Sequence, residues 1–199
     1  MDENGDLIPP IEGKPDWSVG NEMWHTESSF KPVPATASIL SGRVVTTEGG
    51  GTGFASMAAA YDTLPVERLS ELDGFVVEHS LAHSRTLIDL NMSDTFKDEV
   101  PPVGQALIRR IPETGRNTLY LGYHASHVVG WPVDRGRVLV NALNQWITQP
   151  QFTFEHRWAE NDLVMWDNRC CLHCARPFGR SKYKRVMHRA TVAGVGRTA

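Results

Sequence analysis

The chain has little of what marks a secreted, membrane or nucleic-acid-binding protein. Its 199 residues include only three cysteines, Cys170, Cys171 and Cys174. An odd, crowded set argues against a disulfide framework and fits a reducing cytoplasm. Cys-Cys-x-x-Cys also lacks the paired spacing of a zinc ribbon, so these thiols read as structural or incidental. No apolar run approaches a membrane-spanning length, and no signal-peptide pattern opens the chain. A net charge of −3 gives no electrostatic footprint for nucleic acid. Residues Glu48 to Gly53 are glycine-rich, but the Gly-Lys-Ser/Thr ending and following helix of a phosphate loop are missing, which excludes nucleotide binding there. Internal repeats and domain linkers are absent too.

What is present is one domain's worth of short strands. Residues 1–16 mix Asp, Glu, Gly and Pro and read as a flexible leader; 17–199 read as a single domain. Trp24 to Phe30 reads as a strand, as does Ser38 to Val45. Phe54 to Tyr61 is helical in propensity, and a helix restarts at Pro65 and runs to about Asp73, where Gly74 breaks it. Phe75 to Leu81 is ambiguous between strand and helix. Residues 85–105, with Pro101 and Pro102, read as a surface excursion of the kind that covers active sites. Ala106–Ile111 and Asn117–Gly122 read as strands joined by a turn. Val138, Leu139, Ala142, Leu143 and Trp146 recur at helical spacing within Val133 to Thr148. Phe152–Trp158, Leu163–Trp166 and Tyr183–Ala193 read as strands. The pattern predicts a sandwich or barrel of jelly-roll type, whose mouth can enclose a small-molecule site.

Three residues stand out within that frame. In a strand, His25 and Glu27 point to one face. His173 sits in a similar setting far downstream. Two histidines and a carboxylate on one face leave three positions of an octahedral ion open, the arrangement of non-haem Fe(II) oxygenases. On spacing alone, the histidines as ordinary turn or core residues stay an open alternative. Arg185 and Arg189 would share a face of the last strand, roughly 13 Å apart. Each then meets its own anion, faces solvent or pairs with an internal Asp or Glu, since buried unpaired guanidinium is costly. One metal and two anion clamps suggest two anionic small molecules bound together.

The motifs Trp24-His25-Thr26-Glu27-Ser28-Ser29-Phe30, Gly49-Gly50-Gly51-Thr52, Glu78-His79-Ser80-Leu81, Leu163-Val164-Met165-Trp166-Asp167-Asn168-Arg169 with His173, and Met187-His188-Arg189-Ala190-Thr191-Val192-Ala193-Gly194 occur in that order. In these the chain resembles the Fe(II)/2-oxoglutarate-dependent dioxygenases of the taurine dioxygenase family, over about Trp17 to Gly194. It is most similar to the branch that cleaves 2,4-dichlorophenoxyacetate and related aryloxyalkanoates. The resemblance implies a mainly β fold with flanking α-helices and a double-stranded β-helix (jelly-roll, cupin-like) core, N-terminally short relative to the family. It implies His25, Glu27 and His173 as iron ligands, with Glu27 standing where that family usually has Asp. It implies Thr52 and Arg185 as holders of the distal carboxylate of 2-oxoglutarate, and Arg189 as the clamp on the substrate's acidic group. The implied reaction consumes O₂ and 2-oxoglutarate, releases succinate and CO₂, and converts an aryloxyalkanoate to a phenol and glyoxylate.

Lesser candidates surround this set. His124, His127 and His79 could line the substrate pocket or be structural. Asn21 and Trp24 would lie near it, His188 should face away, and Trp158 and Trp166 read as core. Asp167, Asn168 and Arg169 would fix the turn before His173. The leading expectation is thus a cytoplasmic enzyme acting on a small anionic organic substrate, without nucleic-acid or membrane partners. Oligomeric state stays open, a homo-oligomer being one outcome because barrels with exposed edges often pair. The competing readings are a taurine, alkyl sulfonate or sulfate dioxygenase, and a non-catalytic remnant of the family.

Overall fold

The computed structural model describes residues 17–90 and 92–196. The expected leader, residues 1–16, lies outside the described residues. A 3-10 turn, Trp17–Glu22, leads in, followed by β1 (Ala37–Val44), β2 (Thr52–Ser56), α1 (Met57–Asp62), α2 (Val66–Leu72), β3 (Val76–His79), α3 (Leu81–Thr86), α4 (Asp94–Glu99) and β4 (Val103–Ala106). Then come β5 (Ile108–Arg110), β6 (Asn117–Leu119), β7 (Ala125–Val128), α5 (Val133–Ile147), a second 3-10 turn (Pro150–Phe152), β8 (Thr153–His156), β9 (Leu163–Asp167), β10 (Cys171–Ala175) and β11 (Val186–Val192). The fold is mainly β with short helices. The described strands form antiparallel sheets in the orders β11-β1-β9, β10-β2-β8, β4-β3-β7 and β5-β6.

Aromatic rings join the first two sheets. Phe54 on β2 meets Trp166 on β9 edge-on at 5.2 Å between centroids, and Trp166 lies 4.8 Å from the ring of His173 on β10. On the other side of β2, Ala55 and Leu172 are fully buried in a core with Met57, Leu119, Leu143 and Ile147. Such edge-to-face pairs add to plain area burial, so the rings beside the candidate metal residues are held rigidly.

Local chemistry explains most boundaries. Ser56 accepts a hydrogen bond from the Ala59 amide and starts α1; Ser80 and Ser93 do the same for α3 and α4. Pro65 precedes α2, and Gly74 (φ +74°) takes the left-handed conformation just beyond it.

Five expectations are corrected. Trp24 to Phe30 is not a strand: His25 makes a single antiparallel bridge to His173, and residues 27–30 turn, with Ser28 at φ +60°. The Thr26 hydroxyl bonds the Asn168 carbonyl at 2.5 Å, so this segment is fixed by side chains instead of a ladder. Phe54–Ser56 is strand despite its helical propensity, because pairing to both β10 and β8 satisfies its backbone. The 85–105 excursion contains α4 and β4, the latter paired to β3. The buried face of α5 is Gly136, Val140, Leu143 and Ile147, while Val138 is 71% exposed. Gly136 lets the helix close on β7, since a Cβ there would sit 2.6 Å from the Val128 amide. The ambiguous stretch at Phe75 resolves as β3, and the last strand begins at Val186 instead of Tyr183.

Candidate metal centre and anion cleft

Backbone geometry assembles the site. The His25 amide donates to the His173 carbonyl at 3.0 Å, and the His173 amide donates back at 2.8 Å. The two rings lie 4.2 Å apart between centroids. The turn after Thr26 swings Glu27 towards them, so donor atoms of His25, Glu27 and His173 all lie within 4.8 Å of one another. It is the one such cluster of histidine, cysteine and acidic side chains among the described residues. The cysteines are free and stand outside it.

The histidines are prepared as neutral donors. Burial holds both below the ordinary histidine value: His25 against an opposing hydrogen bond to Met23, and His173 further down, with His25 adding to the effect. His25 Nδ1 lies 2.7 Å from the Met23 carbonyl. A carbonyl only accepts, so that nitrogen carries the hydrogen and Nε2 keeps its lone pair. His173 Nδ1 is buried without a hydrogen-bond partner among the described residues. Such a nitrogen is costly to leave unsatisfied, and a cation would accept its lone pair. Two imidazoles and one carboxylate thus fit a divalent metal with coordination positions left over.

A cleft of about 360 Å³ opens from this point, with Leu40, Trp166 and Met187 as apolar wall and Asn21, Thr52, Arg185 and Arg189 as polar wall. Both arginines line it, Arg189 from β11 and Arg185 from just before that strand, yet they are held differently. Arg185 Nε donates to the Gly50 carbonyl at 3.1 Å. Gly50 adopts φ +68°, and a Cβ there would lie 2.7 Å from Thr46 Oγ1, so glycine is what permits this carbonyl to turn inward. No carboxylate pairs with Arg185 among the described residues. Burial, with the Arg180 charge behind it, pulls its pKa down. Arg189 Nη1 instead pairs with Glu27 Oε2 at 2.9 Å, the internal pairing that was the alternative to an anion clamp. Thr52 Oγ1 accepts from Trp158 Nε1 at 3.0 Å, leaving its own hydrogen to donate into the cleft.

The remaining candidates divide. Asn21 lines the cleft, whereas Trp24 packs on the core with the Arg176 guanidinium 5.2 Å from its ring. Trp166 is both core and cleft wall. His124 is buried behind His25, with Nδ1 at 2.9 Å from Ser84 Oγ, and His127 lies 3.6 Å from Glu78; neither lines the cleft. His79 is a core histidine stacked on Tyr120, driven by burial to a pKa of about 3. His188 is exposed and outside the cleft. Arg169 takes Asp167 and Glu113 together and its amide bonds Asp167, fixing the turn before His173. Two contributors were not legible beforehand. Asn168, fully buried, donates to Ser38 and accepts from Trp166; Trp158 orients Thr52. Asn168 and Ser38 stand 130 positions apart and Trp158 and Thr52 106, so no local signal announced those two contacts. A second cavity, about 240 Å³ and lined by Tyr120, Arg109 and Ile111, contains no comparable donor cluster.

A mainly β scaffold thus brings two histidines and a carboxylate within 4.8 Å of one another, beside a cleft lined by Thr52, Arg185 and Arg189. The chain belongs to the taurine catabolism dioxygenase TauD, TfdA family, whose sequence pattern matches residues 6–191. It is 45% identical over 175 residues to the alpha-ketoglutarate-dependent 2,4-dichlorophenoxyacetate dioxygenase of Cupriavidus pinatubonensis, which covers 87% of this chain and 61% of that one. It is 35% identical over 182 residues to the (S)-phenoxypropionate/alpha-ketoglutarate-dioxygenase of Sphingobium herbicidovorans, covering 88% and 63%. The solved structure of AAD-2 in complex with Mn(II) and N-oxalylglycine matches with a TM-score of 0.89 at 44% identity, over 92% of this chain and 73% of that one. The chain therefore spans about three fifths of the length of these two curated relatives. No helix among the described residues is long and apolar enough to cross a membrane.

Proposed function

We propose that this cleft binds Fe(II) on His25, Glu27 and His173, holds 2-oxoglutarate beside it, and serves the oxidation of a small aryloxyalkanoate such as 2,4-dichlorophenoxyacetate. The observation that carries the reading is the convergence of the three donors within 4.8 Å, with His25 and His173 on the wall of a cleft that Arg185 and Arg189 also line. The similarity to the aryloxyalkanoate dioxygenases named above supports the substrate class. The facing sheets β11-β1-β9 and β10-β2-β8 are the two halves of a double-stranded β-helix on this reading. The free, crowded cysteines suit a cytoplasmic setting.

Bound Fe(II), with 2-oxoglutarate and O₂, supplies the oxidising chemistry that yields succinate, CO₂ and a hydroxylated carbon beside the substrate's ether oxygen, from which phenol and glyoxylate follow. The chain's part is placement and electrostatics. Arg185, pinned through Nε by Gly50, turns its remaining N–H groups to the distal carboxylate of 2-oxoglutarate in a bidentate pair. Thr52, its oxygen already engaged by Trp158, donates to the same carboxylate. Arg189 takes the substrate's acidic group. Leu40, Trp166 and Met187 exclude water and pack on apolar parts of the ligands. No protein acid or base is required.

A sulfonate or sulfate ester is the second reading, because the exposed Arg189 guanidinium accepts either anion. The test is to add Fe(II) and 2-oxoglutarate without oxygen and record the weak visible charge-transfer band. Folded protein that shows no band rules the reading out. Succinate release over a panel of aryloxyacetates, taurine and alkyl sulfates then separates the two substrate classes.

A further inference from the structure

Glu27 and Arg189 are each assigned a separate partner by the proposed function, one the metal and the other the substrate anion. In the structure they hold each other. Arg189 Nη1 lies 2.9 Å from Glu27 Oε2, and the Ser28 hydroxyl donates to Oε1 at 3.2 Å. Among the described residues no other carboxylate pairs with Arg189. The Glu27 side chain is 16% exposed and the Arg189 side chain 59%. The carboxylate is thus the more buried member of the pair, and the guanidinium, reaching from β11, is the exposed one. The same carboxylate is the one acidic group in the donor cluster with His25 and His173.

Resting on the metal-site reading, we infer that Glu27 latches Arg189 until a metal ion takes the carboxylate, so that the cleft gains its affinity for an acidic substrate only once the metal is in place. One carboxylate has two cationic claimants. Without metal, an incoming anion must displace Glu27 from Arg189 and approaches a negative charge. With a divalent ion on Glu27 and the two imidazoles, the carboxylate's charge is neutralised and Arg189 is released. Binding linkage makes the effect mutual: an anion on Arg189 removes a competitor for Glu27 and tightens the metal by the same factor. The bare pair is exposed on one side and therefore weak enough to be displaced, which a latch requires. The order that results, metal before acidic substrate, keeps the substrate out of a cleft that could not transform it.

The test measures phenoxyacetate binding by calorimetry to the 199-residue chain, metal-free and loaded with redox-inert Mn(II), both with 2-oxoglutarate present. The latch predicts an affinity at least about fivefold higher with Mn(II). It also predicts that Glu27→Ala, and Glu27→Gln as a shape-preserving companion, raise the metal-free affinity towards that of the Mn(II)-loaded unaltered chain. Equal affinity with and without Mn(II) overturns the latch. So does a metal effect that persists while neither variant gains metal-free affinity, because the coupling would then come from the ion's own charge. A chain that binds no Mn(II) overturns the metal-site reading instead. The metal-free comparison of Glu27→Ala with the unaltered chain still decides the latch in that case: a gain supports it, and no gain sinks it.

Discussion

His25 and His173 exchange two backbone hydrogen bonds, 3.0 and 2.8 Å long, and this one bridge sets their rings 4.2 Å apart. Main-chain hydrogen bonds therefore bring the two candidate histidine ligands together, with Thr26 on the Asn168 carbonyl as a side-chain tie beside them. The ring of either can be removed without removing the bridge.

That separation of placement from ligation gives the first prediction. His25→Ala and His173→Ala retain the far-ultraviolet circular dichroism of the unaltered chain but lose Mn(II) binding. The loss exceeds the roughly 10–100-fold that removing an outer partner of a metal ligand costs. Equilibrium dialysis with metal analysis measures it, and a variant that still binds Mn(II) tightly would displace that histidine from the site.

Trp158→Phe deletes the donor that occupies one lone pair of Thr52 Oγ1. The hydroxyl is then free to rotate, and its hydrogen is less well aimed into the cleft. Loss of one net hydrogen bond, about 1 kcal/mol, weakens 2-oxoglutarate roughly fivefold. Anaerobic titration of the visible band reads the shift. An unchanged midpoint would show that Thr52 needs no such alignment.

Asn168 ties three elements at once: its carbonyl accepts from Thr26, its side-chain oxygen accepts from Trp166, and its amide group donates to Ser38. Asn168→Ala leaves the Trp166 indole N–H without its acceptor beside the candidate metal centre. We expect a destabilisation of about 1–3 kcal/mol, typical of a buried polar group left unpaired. Urea unfolding followed by tryptophan fluorescence tests it.

His79 makes metal-free stability depend on pH. Burial, helped by the Arg109 charge, depresses its folded pKa to about 3 from the ordinary value of 6.5. Below pH 6.5 the unfolded chain binds a proton there that the folded chain does not, so folding stability falls as pH falls. The loss begins near pH 6.5 and continues to about 3, at about 1.4 kcal/mol per pH unit, and is complete below that. Above 6.5 this histidine contributes no pH dependence. Urea midpoints between pH 7 and pH 4.5 should decline less steeply in His79→Gln than in the unaltered chain; parallel lines would remove His79 as the cause.

Much of the local structure is written in short-range signals. Pro65 and Gly74 bracket α2, the turn at residues 112–116 joins β5 and β6, and the helical spacing before Pro150 marks α5. The errors occur where distant partners outweigh local preference. Phe54–Ser56 lies between β10 and β8 and extends to pair with both. The buried side of α5 follows Gly136, which allows close approach to β7, in preference to the larger Val138. At the candidate site the residue types were legible through motif order, but Glu27 arrives by a turn and not by strand alternation. The Asn168–Ser38 and Trp158–Thr52 contacts were missed because they join residues 130 and 106 positions apart.

The sequence by itself determined the family pattern and the chemical types it carries: two imidazoles, a carboxylate, a threonine after a glycine turn, and two arginines four residues apart. Those are properties of individual residues and their order. Only the tertiary structure decided who holds whom: His25 bridged to His173, Arg185 on a Gly50 carbonyl, Thr52 under Trp158, and Arg189 on Glu27. Hydrogen bonds and ion pairs depend on distances of about 3 Å between groups far apart along the chain. Those distances exist only after β1 has paired with β9 and β11, and β2 with β8 and β10.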